Sequence, residues 1–174
     1  MPGTALWLSL GLVAQNFTPF ELTPSVAVGL GYGTNYAEAS CLVSGQDCAT
    51  ATAAGPLLGL SLELLYGNFI SVGARSDLAW IPGRSTAVRG LWLGVLHVGS
   101  RFFGEAGVGA GYAWFQRDAI VGSGRVSGTT VDSAYLLVLG FHVVDHLAIT
   151  AEGTMLPGLP GMMSLGGAIR WSPL

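Results

Sequence analysis

Apolar and polar side chains alternate along most of this chain with a period of two, the mark of strands that present one apolar face. In Ser25–Thr34, Val26, Val28, Leu30 and Tyr32 fall on one face, and Ser25, Ala27, Gly29, Gly31 and Gly33 on the other. In Pro56–Tyr66, Leu58, Leu60, Leu62 and Leu64 oppose Gly59, Ser61 and Glu63. In Phe69–Trp80, Ile70, Val72, Ala74, Leu78 and Trp80 oppose Ser71, Gly73, Arg75 and Asp77. In Phe102–Phe115, Phe102, Ala106, Val108, Ala110, Tyr112 and Trp114 oppose Glu105, Gly107, Gly109 and Gly111. In Thr130–His142, Val131, Tyr135, Leu137, Leu139 and Phe141 oppose Thr130, Asp132, Ala134 and Gly140. In His146–Met155, Leu147, Ile149, Ala151 and Met155 oppose His146, Thr150, Glu152 and Thr154, and near the C-terminus Met163, Leu165, Gly167, Ile169 and Trp171 oppose Ser164, Gly166, Ala168 and Arg170. In all seven segments the charged residues keep off the apolar face. An eighth segment, Val88–Gly99, fits two assignments. Either Leu91, Leu93 and Val95 face outward together with Arg89 and His97, or Trp92, Leu96 and Val98 do, over a leucine-rich interior.

The connections alternate in length. Gly67-Asn68, Gly99–Arg101 and Val143–Asp145 are short, Asn35–Ala54 and Gln116–Gly128 long, and Ile81–Ala87 and Pro157–Gly161 intermediate. Tight turns on one side of a membrane and longer loops on the other produce this alternation. Eight strands counted from Ser25 place both ends of the barrel on the short-turn side. Cross-strand partners must share a face, and a three-residue hairpin loop at Gly67–Phe69 lets Glu63 and Arg75 do so. The same parity makes His142 and His146 neighbours across Val143-Val144-Asp145. Tyr66, Phe69, Phe102, Phe141 and Trp171 collect at the short-turn end, and Tyr32, Trp80, Trp114 and Tyr135 at the other, as two aromatic girdles would.

Composition decides what the apolar face meets. Half of the 174 residues are hydrophobic and a tenth charged, there is no lysine, and 27 are glycine. A soluble domain carries about a quarter charged residues. A net charge of −3 with no basic cluster excludes a nucleic-acid binder, and the apolar content excludes disorder. No stretch reaches the roughly 18 apolar residues of a spanning helix. The reading is an all-β fold, an antiparallel up-and-down transmembrane β-barrel of eight strands, with residues 24–174 forming the barrel and 1–23 an N-terminal segment.

On these alternating segments the chain resembles the small bacterial outer-membrane β-barrel proteins, the eight-stranded OmpA-like group, over about Ser25–Trp171. The resemblance implies an integral place in the bacterial outer membrane, contact with lipid bilayer and lipopolysaccharide, and assembly by the barrel-assembly machinery. Leu165, Ile169 and Trp171 alternate like that machinery's C-terminal signal, although Ser172-Pro173-Leu174 follow the aromatic. Ala5–Val13 reads either as the apolar region of a secretory signal without a basic start or as an extra strand, in which Leu6, Leu8, Leu10 and Leu12 alternate with Trp7, Ser9 and Gly11.

Candidate chemistry lies on the inward face. Glu63, Arg75, Asp77, Glu105, Asp132, Glu152 and Arg170 point into the lumen, where charges need partners. They form either a salt-bridge network that plugs the barrel or a gated path that favours cations, since carboxylates outnumber arginines. Cys41 and Cys48 share the longest loop, in a compartment where disulfides persist, and are expected to bridge. Arg84, Arg117 and Arg125 fall in the external connections, with Arg89 close by. Their planar guanidinium groups suit the phosphates of lipopolysaccharide. His97, His142 and His146 gather at the short-turn end, as solvated interfacial side chains or a metal pair. No cofactor and no metal are expected. Outer-membrane lipid deacylases share this architecture, but their His-x-Ser motif is absent here, as is a Gly-x-Ser-x-Gly elbow. Gly107–Gly111 opens no helix and so is no phosphate loop. The chain reads as non-catalytic, a structural or surface-interaction protein with a narrow channel as the alternative.

Overall fold

The computed structural model describes residues 21–35, 52–82, 86–118, 125–157 and 162–172. They form eight strands: β1 (Glu21–Asn35), β2 (Thr52–Gly67), β3 (Ile70–Ile81), β4 (Thr86–Gly99), β5 (Phe102–Asp118), β6 (Arg125–Val144), β7 (Leu147–Leu156) and β8 (Met162–Trp171). Each strand pairs antiparallel with the next, and β1 pairs with β8, so the sheet is a closed barrel. Closure satisfies every strand's backbone within the sheet, which is what lets a β structure cross lipid. β1 begins at Glu21; residues 1–20, with the candidate signal or extra strand, lie outside the described residues.

The exterior carries the apolar set. Val28, Leu30, Leu60, Leu62, Val72, Leu78, Val108, Leu137, Leu139, Ile149, Leu165 and Ile169 are all exposed. A belt of this extent would be an aggregation surface in water; in a bilayer it is the contact with lipid. Tyr66, Phe69, Phe102 and Trp171 are exposed at one rim, and Tyr32, Trp80 and Tyr135 at the other.

The register resolves β4. Ala79 pairs with Arg89, Asp77 with Leu91 and Arg75 with Leu93. Arg89, Leu91, Leu93 and Val95 are therefore buried inside, and Trp92, Leu96 and Val98 face out. Two expectations are corrected. The strands run further into the link between β5 and β6 than the alternation marks, because β5 continues to Asp118 and pairs it with Arg125. His142 pairs with Ala148 rather than with His146, because the strands continue to Val144 and Leu147 and leave His146 in the turn, with the register shifting between His142 and Val144.

The short turns are set by backbone geometry. Gly67 and Gly99 adopt φ of 129° and 119°, a region that side chains disfavour. The turns are tied to their neighbours, since Gly99 N donates to Phe69 O at 2.8 Å and His142 N to Arg101 O at 2.8 Å.

Candidate functional site: the charged lumen

Strand alternation sends one residue in two into the barrel, and the register decides which of these meet. Glu63 and Arg75 are cross-strand partners on β2 and β3. Arg75 Nη1 lies 2.8 Å from Glu63 Oε1 and 2.5 Å from Glu105 Oε2, and Arg75 Nη2 lies 2.9 Å from Asp77 Oδ2. From β8, Arg170 Nη1 stands 3.4 Å from both Glu63 Oε1 and Glu105 Oε1. His97 Nδ1 is 3.3 Å from Glu105 Oε1. Three carboxylates thus meet two guanidinium groups in the short-turn half of the lumen, with His97 beside the excess.

A second cluster is built on Arg89, whose face the alternation leaves open. It is buried. Its Nη1 donates to Thr154 Oγ1 and Ser164 Oγ, and its Nη2 to Glu152 Oε1. β4 is thereby joined to β7 and β8 across the barrel. Glu152 belongs to this cluster, separate from the one around Arg75. Asp132 belongs to neither: it is only partly buried, and its Oδ1 accepts from its neighbour's Ser133 N at 2.5 Å and from Ser133 Oγ at 3.2 Å.

Apolar side chains occupy much of the remaining interior. Toward the long-loop end Leu57, Ile81, Ala87, Leu91, Leu156 and Met162 are buried in one continuous cluster. The space left among Leu57, Ile81, Met162 and Arg89 is about 10 Å³, about the least that holds one water. At the short-turn end the lumen opens instead into a vestibule of about 360 Å³, lined among others by Glu63, His97, Glu105, His142 and Arg170. Phe103 stands between two histidines there, 5.2 Å from the His97 ring and 4.9 Å from that of His142. Among the described residues no group of three or more His, Cys, Asp or Glu is arranged to hold a metal.

The remaining candidates lie at the long-loop end. Arg117 and Arg125 occupy the last rungs of β5 and β6, opposite Val126 and Asp118. Arg84, Cys41 and Cys48 lie outside the described residues.

No protein-family model matches the chain, and no curated protein matches it by sequence. Solved structures do match. Ail, the attachment invasion locus protein of Yersinia pestis, aligns with a TM-score of 0.53 at 14% identity over 87% of this chain and 99% of its own. The N-terminal β-barrel domain of Pseudomonas aeruginosa OprF aligns at 0.51 and 12% identity over 88% and 100%. Neisserial surface protein A aligns at 0.50 and 7% identity over 87% and 98%. At these identities the likeness is one of fold. The chain has the fold of the eight-stranded outer-membrane β-barrels.

Proposed function

We propose that this chain is an integral outer-membrane barrel, non-catalytic, whose lumen is plugged and whose work is done at its surface. The observation that carries the reading is the interior itself. Guanidinium groups on β3, β4 and β8 cross the lumen to carboxylates on other strands, and the leucine-rich cluster above them leaves about 10 Å³ beside Arg89. Short turns face the periplasm in barrels of this kind, so the vestibule opens on that side and the apolar layer faces the long loops.

The external loops are then the surface that meets the outside. Arg84, Arg117 and Arg125 would contact lipopolysaccharide phosphates, and a Cys41–Cys48 bridge would brace the longest loop. A structural or interaction role is in line with Ail, named for attachment and invasion, and with the surface protein NspA. The C-terminal strand, with Leu165, Ile169 and Trp171 on its outer face, would be the part read by the barrel-assembly machinery.

The test is conductance of the purified, refolded protein in a planar bilayer. The plugged reading expects no steady conductance. Reproducible cation-selective openings would overturn it in favour of the narrow channel, for which the excess of carboxylates around Arg75 is the motivating observation.

A further inference from the structure

Four arginines have described side chains: Arg75, Arg89, Arg101 and Arg170. Three are buried in the lumen on carboxylates. Arg101 differs in every respect. It sits in the turn between β4 and β5 and is exposed. It has no ion pair among the described residues. Its close side-chain partner is the Phe141 ring, whose centroid lies 5.3 Å from the guanidinium carbon.

The surroundings of Arg101 are those of a membrane interface. Phe102, the next residue, is 75% exposed, more than any other aromatic among the described residues. Its ring packs on Phe141, with centroids 4.5 Å apart. Phe69 is exposed on the adjoining turn, and that turn accepts a hydrogen bond from Gly99. The backbone beneath Arg101 is held by His142 N, which donates to Arg101 O. A guanidinium therefore stands at the edge of the apolar belt, over the Phe141 ring and next to the exposed Phe102. A cation–π contact orients the guanidinium but leaves its N–H donors free. The free donors suit an anion with several acceptor oxygens, and the flanking rings suit an anion attached to acyl chains.

We infer that Arg101, with Phe102 and Phe141, forms a site for the phosphate of a phospholipid in the periplasmic leaflet. The guanidinium takes the phosphate oxygens and the two rings take the first carbons of the chains. Anionic phospholipids fit best, because a zwitterionic headgroup brings its own cation to compete. The inference rests on the proposed orientation, in which the short turns face the periplasm.

The experiment is native mass spectrometry of the full refolded chain with phosphatidylglycerol and with a monogalactosyl diacylglycerol of the same acyl chains, which lacks phosphate. The wild type is expected to hold phosphatidylglycerol about five-fold more strongly, the scale of one basic residue at an anionic surface. Arg101→Gln should remove that preference, and Phe141→Leu should reduce it while leaving the charge in place. Millimolar inorganic phosphate should not displace the lipid. An unchanged preference in Arg101→Gln overturns the site, and so does full displacement by inorganic phosphate, which would make it a site for free anions. Heat-dependent gel mobility is read on every variant. A wild type without that shift counts against the membrane-barrel reading, whereas a shifted Arg101→Gln that binds as wild type does counts against this site alone.

Discussion

Arg89 and Glu152 form an ion pair across the barrel, from the fourth strand to the seventh, and Arg89 Nη1 also donates to Thr154 and Ser164. Removing one member of a buried pair leaves the other uncompensated and costs about 3–5 kcal/mol. Arg89→Ala is expected to lose about that much unfolding free energy, read as a lower urea midpoint for loss of the fast-migrating folded band. Arg89 Nε has no hydrogen-bond partner, so the cluster is not fully satisfied. The double variant Arg89→Leu with Glu152→Leu should therefore be more stable than Arg89→Ala, since well-packed apolar replacements of buried pairs are often neutral.

A contrast between the two faces of β2 and β3 tests the inside and outside assignment. Arg75→Ala strands Asp77, leaves Glu63 and Glu105 to share Arg170, and should be strongly destabilising. Leu60 lies on the opposite face, 56% exposed to lipid, and Leu60→Arg should cost about 2–4 kcal/mol if it sits at the midplane. Refolding titrations in lipid vesicles measure both. Neutrality at both positions would reverse the assignment.

Gly140 makes room for the ring that separates the two histidines. A Cβ there would fall 2.1 Å from Phe103 Cζ, and Phe103 is buried between His97 and His142. Gly140→Ala should cost about 1–3 kcal/mol, the usual range for overpacking. Adding Phe103→Leu should recover part of the loss, as seen in thermal unfolding followed by circular dichroism.

Lipopolysaccharide should raise the unfolding temperature of the wild type more than that of a triple Arg84, Arg117 and Arg125 to Gln variant. An equal rise in both would free the external arginines from an anchoring role.

Most of the barrel could be read from alternation, because lipid demands an apolar residue at every second position and the lumen demands none. The reading weakens where that demand stops. Ser127 and Thr129 face outward at the top of β6, beyond the need for apolar side chains, so the pattern fades while the ladder continues to Arg125. Within β4, leucines and valines occupy both faces, and periodicity alone could not choose between them. Strand parity could have. The β4–β5 turn joins His97 to Glu105 as partners, so an inward Glu105 fixes His97, and with it Leu91 and Arg89, as inward. The same count misplaces His146, because the turn falls at Asp145-His146, with a register shift near Val143, and neither is visible in spacing along the sequence. That Arg89 and Glu152 meet, or that Arg75 draws three carboxylates, depends on distances across the lumen, which spacing along the chain does not encode.

The cross-lumen pairs also bear on the order in which the molecule can be made. Arg89 on the fourth strand meets its acceptors only on the seventh and eighth, and Arg170 on the eighth meets Glu63 on the second and Glu105 on the fifth. A nascent sheet of four or five strands would carry Arg89 into an apolar environment without its counterparts, and Glu63 and Glu105 with Arg75 alone. Such partial sheets are costly, and each late strand brings relief to charges laid down earlier. The final seam, where the eighth strand finds the first, is then also the step that neutralises the interior. Closure should be all-or-none in kinetics, with no long-lived half-barrel on the way.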